Sequence, residues 1–216
     1  MTTESKQISD IIPDLRESAA TRSTTTQPPS AEWNRKWLRL QTHHPKLAEL
    51  ERETGKFCFD MARSPLTGRL LLLSGESGSG KTHCAKAVRE WIRASGGAVK
   101  FIRLSGHIES LSCIFWHWPA LLDTLKNGGW DVVEDMMQTP CLIIDELGGG
   151  HDPSGVGTDK LCQILSRRER RWTLITTNIV QEAWEEKFDR RIASRFFRNS
   201  THVDLSDVPD FSLHAA

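Results

Sequence analysis

The segment Arg69-Leu-Leu-Leu-Leu-Ser-Gly-Glu-Ser-Gly-Ser-Gly-Lys-Thr82 runs from an apolar strand candidate into a loop of glycines and serines. Gly75 to Thr82 fits G-x-x-x-x-G-K-[ST] at every specified position. Directly after it, Ala85, Ala87, Val88, Trp91 and Ile92 recur on one face of a helix. Strand, glycine-rich loop and helix form the context that gives this motif its meaning. Glycines let the backbone curl so that several N–H groups converge as an anion nest. The following helix adds the positive end of its dipole. The expected phosphate cradle is therefore Gly75, Glu76, Ser77, Gly78, Ser79, Gly80, Lys81, Thr82 and His83. Lys81 would reach the β- and γ-phosphates of ATP, and the Thr82 hydroxyl would hold Mg²⁺. A chance Gly/Ser turn would not carry both flanks.

Working outward, four more strands are predicted: Ala98–Leu104, Cys141–Glu146, Trp172–Asn178 and Thr201–Leu205. Cys141-Leu-Ile-Ile-Asp-Glu146 is continuously apolar before two acids, the pattern of a parallel strand buried on both faces. Ser105–Thr139 reads as a helical insertion between the second and third strands, with Ile114-Phe-Trp-His-Trp-Pro119 and then Leu121, Leu122 and Leu125. Upstream of the loop, Trp33 to Met61 suggests two helical pieces broken near His44-Pro45. Phe57 or Phe59 could border an adenine there, or simply fill the core. Asp159–Arg171, Gln181–Phe188 and Asp189–Arg198 read as further helices. Alternating strands and helices imply one three-layer α/β domain over residues 31–216, with a mostly parallel, five-stranded sheet. Ligands of such sheets bind at the carboxyl ends of the strands. The loop at 75–82, Asp145 with Glu146, and Asn178 all fall at that end.

Those residues suit one chemistry. Asp145 would bind Mg²⁺, and Glu146 would orient and polarise a water for in-line attack on the γ-phosphate. A kinase acting on a small molecule needs no such glutamate, so hydrolysis is favoured over transfer. Asn178 could hydrogen-bond the attacking water or the γ-phosphate; a turn asparagine is the plainer alternative. Arg191, Arg195 and Arg198 fall at i, i+4 and i+7, on one helix face beside an apolar stripe of Ile192 and Phe196. An arginine from a neighbouring subunit could stabilise charge on the γ-phosphate; a solvated basic face is the alternative.

Formal net charge is zero, so nucleic-acid binding must come from local patches. Between Asp159 and Arg198 there are ten Lys/Arg and six Asp/Glu, an excess of four positive charges that includes Arg167–Arg171. That stretch could track a phosphate backbone or merely solvate a helix end. Residues 1–30 are rich in Ser and Thr and lack aromatics, so a disordered tail is expected, with Ile8–Leu15 as a segment that could fold on a partner. Five scattered cysteines without a C-x-x-C pair read as reduced thiols of a cytoplasmic protein. Cys113 and His117, at i,i+4, could share a helix face but are too few for a metal site. No apolar run is long enough to span a membrane, and no signal-peptide core is present.

Taken together and in order, Gly-Glu-Ser-Gly-Ser-Gly-Lys-Thr, Cys-Leu-Ile-Ile-Asp-Glu, Trp-Thr-Leu-Ile-Thr-Thr-Asn and Arg-Ile-Ala-Ser-Arg-Phe resemble the AAA+ ATPases of the DnaC/IstB-like group, above all the bacterial and phage replicative helicase loaders. The likeness runs from about Leu47 to Leu213, and the ending Val203-Asp-Leu-Ser-Asp-Val-Pro-Asp-Phe211 is among its more particular features. The resemblance implies Lys81 and Thr82 on nucleotide and Mg²⁺, Asp145 as the Walker B acid, Glu146 as catalytic base and Asn178 as sensor 1. It also implies Arg195 as arginine finger, with Arg191 next, and a helical insertion that helps a head-to-tail spiral grip single-stranded DNA. Partners would be further copies of the chain, a replicative helicase and DNA, with weak ATP turnover in their absence. Twenty-one residues follow Arg195, too few for the full C-terminal helical lid of larger AAA+ proteins, so no sensor 2 arginine is assigned. An IstB-like ATPase helper of transposition and a nucleotide-dependent DNA scaffold without turnover are the alternatives.

Overall fold

The computed structural model describes residues 33–40, 44–102, 106–188, 190–198 and 200–210. The tail expected over residues 1–30 and the segment Ile8–Leu15 lie outside these residues.

The strand that feeds the glycine-rich loop is β1 (Leu70–Ser74). It sits in a five-stranded sheet with β4 (Cys113–His117), β5 (Cys141–Leu147), β6 (Trp172–Thr177) and β7 (Ser200–Asp204). The spatial order is β4-β5-β6-β1-β7, and all four pairings are parallel. Every crossover must therefore carry the chain back over a face of the sheet. Helices α1 (Pro45–Arg63), α2 (Lys81–Ser95), α3 (Trp118–Lys126), α4 (Asp131–Gln138), α5 (Val156–Arg167), α6 (Trp184–Lys187) and α7 (Arg190–Phe197) complete the layers.

The unbroken apolar runs have a physical reason. Leu71 and Leu73 face one core with Ile143 and Leu174, under Phe57 and Met61 of α1 and Ala85, Val88 and Ile92 of α2. Leu72 faces the other with Leu142, Ile144 and Ile175, under Leu121 and Leu125 of α3, Leu161 of α5 and Ile192 of α7. Side chains alternate between faces along a strand, and both faces are dry, so successive positions in the middle of these strands are apolar. Helix α1 opens at the break expected near His44-Pro45: proline occupies its first turn, and the His44 ring accepts from the Lys46 N–H at 3.3 Å. Before it lies a single π-helical turn, Asn34–Leu38. The stripe of Ile192 and Phe196 is buried, as its spacing suggests, with Phe196 edge-on to Trp184 and Phe188. Phe57 is buried edge-on to Trp172, 5.1 Å between centroids, which gives it the core role rather than contact with an adenine.

Two expectations are corrected. The described part of the strand expected over Ala98–Leu104 is not in the main sheet; β2 (Lys100–Ile102) pairs antiparallel with β3 (Ile108–Ser110) as a separate ribbon. Phe101 alone in β2 is buried, so that strand has one face to offer rather than two. The stretch 105–139, expected to be helical throughout, supplies both β3 and the edge strand β4 before α3 begins at Trp118. Ile, Phe and Trp in β4 are strong strand formers at a half-buried edge, and Pro119 opens the helix rather than closing it. Among the described residues, no helix follows β7 and none is long and apolar enough to cross a membrane.

Candidate nucleotide site

At the end of β1 the chain turns at Gly75, whose φ is 139°; a Cβ there would lie 2.7 Å from the Leu205 carbonyl carbon. Gly78 has φ 78°, and a Cβ on it would fall 1.6 Å from an Asp210 carboxylate oxygen. The loop can therefore keep its curl beneath the segment that follows β7 only because these positions lack side chains. Helix α2 starts at Lys81, so its first N–H groups and its dipole point into the loop.

Lys81 is 5% exposed. Its ammonium donates to the carbonyls of Gly75 at 2.8 Å and Glu76 at 2.6 Å and to the Ser79 hydroxyl at 3.1 Å. Ser79 in turn donates to the Glu76 carbonyl, tying the loop to itself. Burial pushes the Lys81 pKa down to about 8, while Asp145, Glu146 and Glu76 oppose that shift. The amine is thus a cation with its charge held at the loop floor.

The sign of the linkage follows. Below pH 8 the ammonium is charged in both folded and unfolded chains, and its burial cost is fully present. Between about 8 and the ordinary lysine value the unfolded chain binds more protons, so this group makes stability rise with pH. Phosphate favours the charged form. We expect ATP binding at a pH just above 8 to take up a fraction of a proton. Calorimetry in two buffers of different ionisation enthalpy measures it; identical heats in both would show that the amine is already fully charged.

The acids arrive on β5. Asp145 is 3% exposed and accepts from the Thr82 hydroxyl at 3.0 Å and from the Thr176 hydroxyl at 2.7 Å. Thr176 also accepts from the Glu146 N–H at 2.8 Å, so one hydroxyl on β6 fixes both acids. The β5–β6 register slips between Ile144 and Leu147, and Glu146 takes φ 61°. A left-handed backbone on a non-glycine residue costs on the order of 1–3 kcal/mol, and such strain clusters at functional sites. Its effect is to turn the Glu146 side chain out of the strand. There the Glu146 carboxylate meets Nε2 of His117 at 2.6 Å.

A cavity of about 320 Å³ is lined by Lys81, Thr82, His83, Glu146, Thr176 and Asn178, with Ser77, Gly78 and Gly80 at its loop side. The expected meeting of three strand ends is therefore observed. His83 also contacts the Leu38 carbonyl and so links the cavity wall to the π-helical turn. Arg191 and Arg195 are elsewhere. They lie on α7, where Arg195 donates to the Arg191 carbonyl and to the Ser166 hydroxyl of α5, each at 2.8 Å. Arg191 stands 3.8 Å from Asp159. Neither lines the nucleotide cavity of its own chain.

The donor set suits a hard cation. The Thr82 hydroxyl and the Asp145 carboxylate are oxygens already in contact, and Mg²⁺ takes few protein ligands, completing its shell with water and phosphate. Accordingly no cluster of three or more His, Cys, Asp or Glu is needed, and none occurs among the described residues.

The roles of two residues, Thr176 and His117, escape a reading of the sequence. In the sequence Thr176 is one of several polar residues capping a strand. His117 became visible only when β4 formed beside β5, in register with Asp145. His117→Ala is expected to change basal phosphate release by about 10- to 100-fold, since one hydrogen bond to a charged group is worth roughly 1.5–3 kcal/mol and about 1.4 kcal/mol is a factor of ten. A rise would mean that His117 withholds Glu146, and a fall that it orients it; an unchanged rate would separate the pair from the chemistry.

The family of IstB-like ATP binding proteins matches residues 67–202. No individual curated protein matches the sequence. Among solved structures, DnaI superposes with a TM-score of 0.61 at 18% identity, over 83% of this chain and 92% of that one. The DnaC helicase loader gives 0.59 at 16% identity, over 80% and 98%. The replication initiator DnaA bound to AMPPCP and single-stranded DNA gives 0.53 at 14%, over 71% of this chain and 45% of that chain. At these identities the likeness is one of fold.

Proposed function

The chain belongs to the family of IstB-like ATP binding proteins, and on that premise we propose that it hydrolyses ATP with Mg²⁺ while assembling head-to-tail on single-stranded DNA or a replicative helicase, as a helicase loader in DNA replication. The observation that carries the reading is the Thr82–Asp145 contact of 3.0 Å with the strained Glu146 beside it, facing the cavity that Lys81 and Asn178 share. The folds of DnaI and of the DnaC helicase loader support the choice of process.

Each residue has a task in this scheme. The Lys81 ammonium leaves two loop carbonyls for the β- and γ-phosphates. The Thr82 hydroxyl and the Asp145 carboxylate, already in contact, would hold Mg²⁺. Bound Mg²⁺ neutralises charge on the phosphate oxygens. Glu146 accepts a proton from the attacking water, and Asn178 hydrogen-bonds the water or the γ-phosphate. Arg195, with Arg191 as the next candidate, acts on a neighbour's nucleotide, because neither lines its own cavity. An arginine supplied this way makes the contact heterologous, so copies stack into a ring or an open spiral.

Sizing the protein with ADP and with a non-hydrolysable ATP analogue, with and without single-stranded DNA, tests this. Larger species with the analogue are expected. Arg195→Ala should bind ATP and release little phosphate, and mixing it with Lys81→Ala should restore part of the rate. A monomer under every condition, or no rescue on mixing, removes the mechanism in trans. The family match favours one second reading, an ATPase helper of transposition. Pull-down of a hexameric helicase against a transposase separates them.

A further inference from the structure

The end of the sheet opposite the nucleotide carries a second set of cations. There the loop between α1 and β1 and the turn between α5 and β6 enclose a cleft of about 540 Å³, lined by Asp60, Arg63, Ser64, Thr67, Arg69 and Arg170. An adjoining hollow of about 230 Å³ shares Arg170 and adds Arg195 and Arg198. Arg63, Arg69, Arg168, Arg170, Arg195 and Arg198 line the two hollows with two carboxylates, Asp60 and Glu169, a local excess of four positive charges in a chain of zero net charge.

The cleft is built, not incidental. Gly68 N–H donates to the Arg170 carbonyl at 2.8 Å, and a Cβ at Gly68 would lie 2.1 Å from the Trp172 nitrogen, so loop and turn are pressed together. Trp172 closes the floor through its indole N–H to the Ser64 carbonyl at 3.1 Å. Arg69 reaches Asp60 with one nitrogen at 3.4 Å, yet its Nε is buried without a hydrogen-bond partner among the described residues. The Arg195 Nε in the neighbouring hollow is in the same condition. A buried guanidinium N–H is costly to leave unpaired, and the two arginines that carry them line adjoining hollows.

From this we infer that the cleft and hollow form a nucleotide-independent track for the backbone phosphates of single-stranded nucleic acid. Two cationic hollows sharing one arginine suit successive charges on one polymer better than a single small anion. Arginine forks and the Ser64 and Thr67 hydroxyls are the donors that phosphate oxygens take. Trp172 is buried, so it offers no stacking face and the track reads backbone rather than base. Arg168 is not part of it, since its donors are used within the fold. The inference rests on the reading that the chain acts on single-stranded DNA, and it states where that strand lies.

The test measures anisotropy of a fluorescein-labelled oligo-thymidine strand over a salt series, without nucleotide. Arg63 and Arg170 are both exposed, so Arg63→Gln with Arg170→Gln does not threaten folding. Losing two phosphate contacts should flatten the slope of log affinity against log salt by about 1.4. Basal phosphate release should be unchanged, and Arg63→Lys with Arg170→Lys should recover most of the slope. Equal slopes for the wild type and the glutamine variant would overturn the track while leaving the DNA reading standing. No DNA binding by the wild type, with capture of poly-glutamate instead, would overturn both.

Discussion

Glu146→Gln is expected to keep ATP binding close to the wild-type affinity and to lower phosphate release by about 10²–10⁴-fold, the range general-base catalysis commonly supplies. Glutamine preserves the size of the side chain and its reach toward the cavity but cannot take a proton from water. The backbone strain at φ 61° and the Thr176 hydrogen bond to the Glu146 N–H are untouched, because both belong to the main chain. Binding and turnover should therefore separate. Asp145→Asn should not separate them in this way, since Asp145 accepts from Thr82 and Thr176 and would hold Mg²⁺ through its water shell. Nucleotide titration and single-turnover phosphate release on the same preparation read the two quantities. Turnover within threefold of wild type would mean that another group activates the water, and His117, 2.6 Å from the carboxylate, would be the first to examine.

How much of this was legible depends on how local the signal is. The phosphate loop is a contiguous motif, and β1, β5 and β6 announce themselves because burial on both faces makes them apolar-rich runs, with polar residues at the ends that meet the site. The stripe on α7 follows from helical spacing alone. The edge strand β4 was harder. It is half-buried and only five residues long, and it passes straight into a helix, so its apolar residues merge with the helical pattern of Leu121, Leu122 and Leu125. Only as a strand beside β5 does Cys113–His117 bring His117 to Glu146, 29 residues away in the chain. Thr176 is similar, since its two hydrogen bonds exist only once β6 is in register with β5. Charge in the sequence likewise could not say which arginines are free to bind. Arg167–Arg171 reads as one basic run, yet its members have different lives.

Arg168 is the member that the fold consumes, and Arg168→Leu is expected to cost about 3–5 kcal/mol, among the larger single-residue effects known. The side chain is 3% exposed. It donates to the carbonyls of Met136 at 2.7 Å, Thr139 at 2.8 Å and Trp172 at 2.6 Å, and to the Thr173 hydroxyl at 3.0 Å. Those partners end α4, lead into β5 and begin β6, so one guanidinium ties three chain segments at the base of the sheet. Leucine would fill part of the volume but leave these carbonyls buried with a donor missing, at roughly 1–3 kcal/mol each before relaxation. Arg167, its exposed neighbour in the chain, should cost no more than about 0.5 kcal/mol when changed to alanine. For a domain of this size the predicted gap corresponds to a melting temperature lower by about 6–20 °C for Arg168→Leu. Urea unfolding of both variants at matched m-value measures it directly. Equal midpoints would mean that the carbonyls find water or new partners, and that the run is the uniform basic surface its sequence suggests.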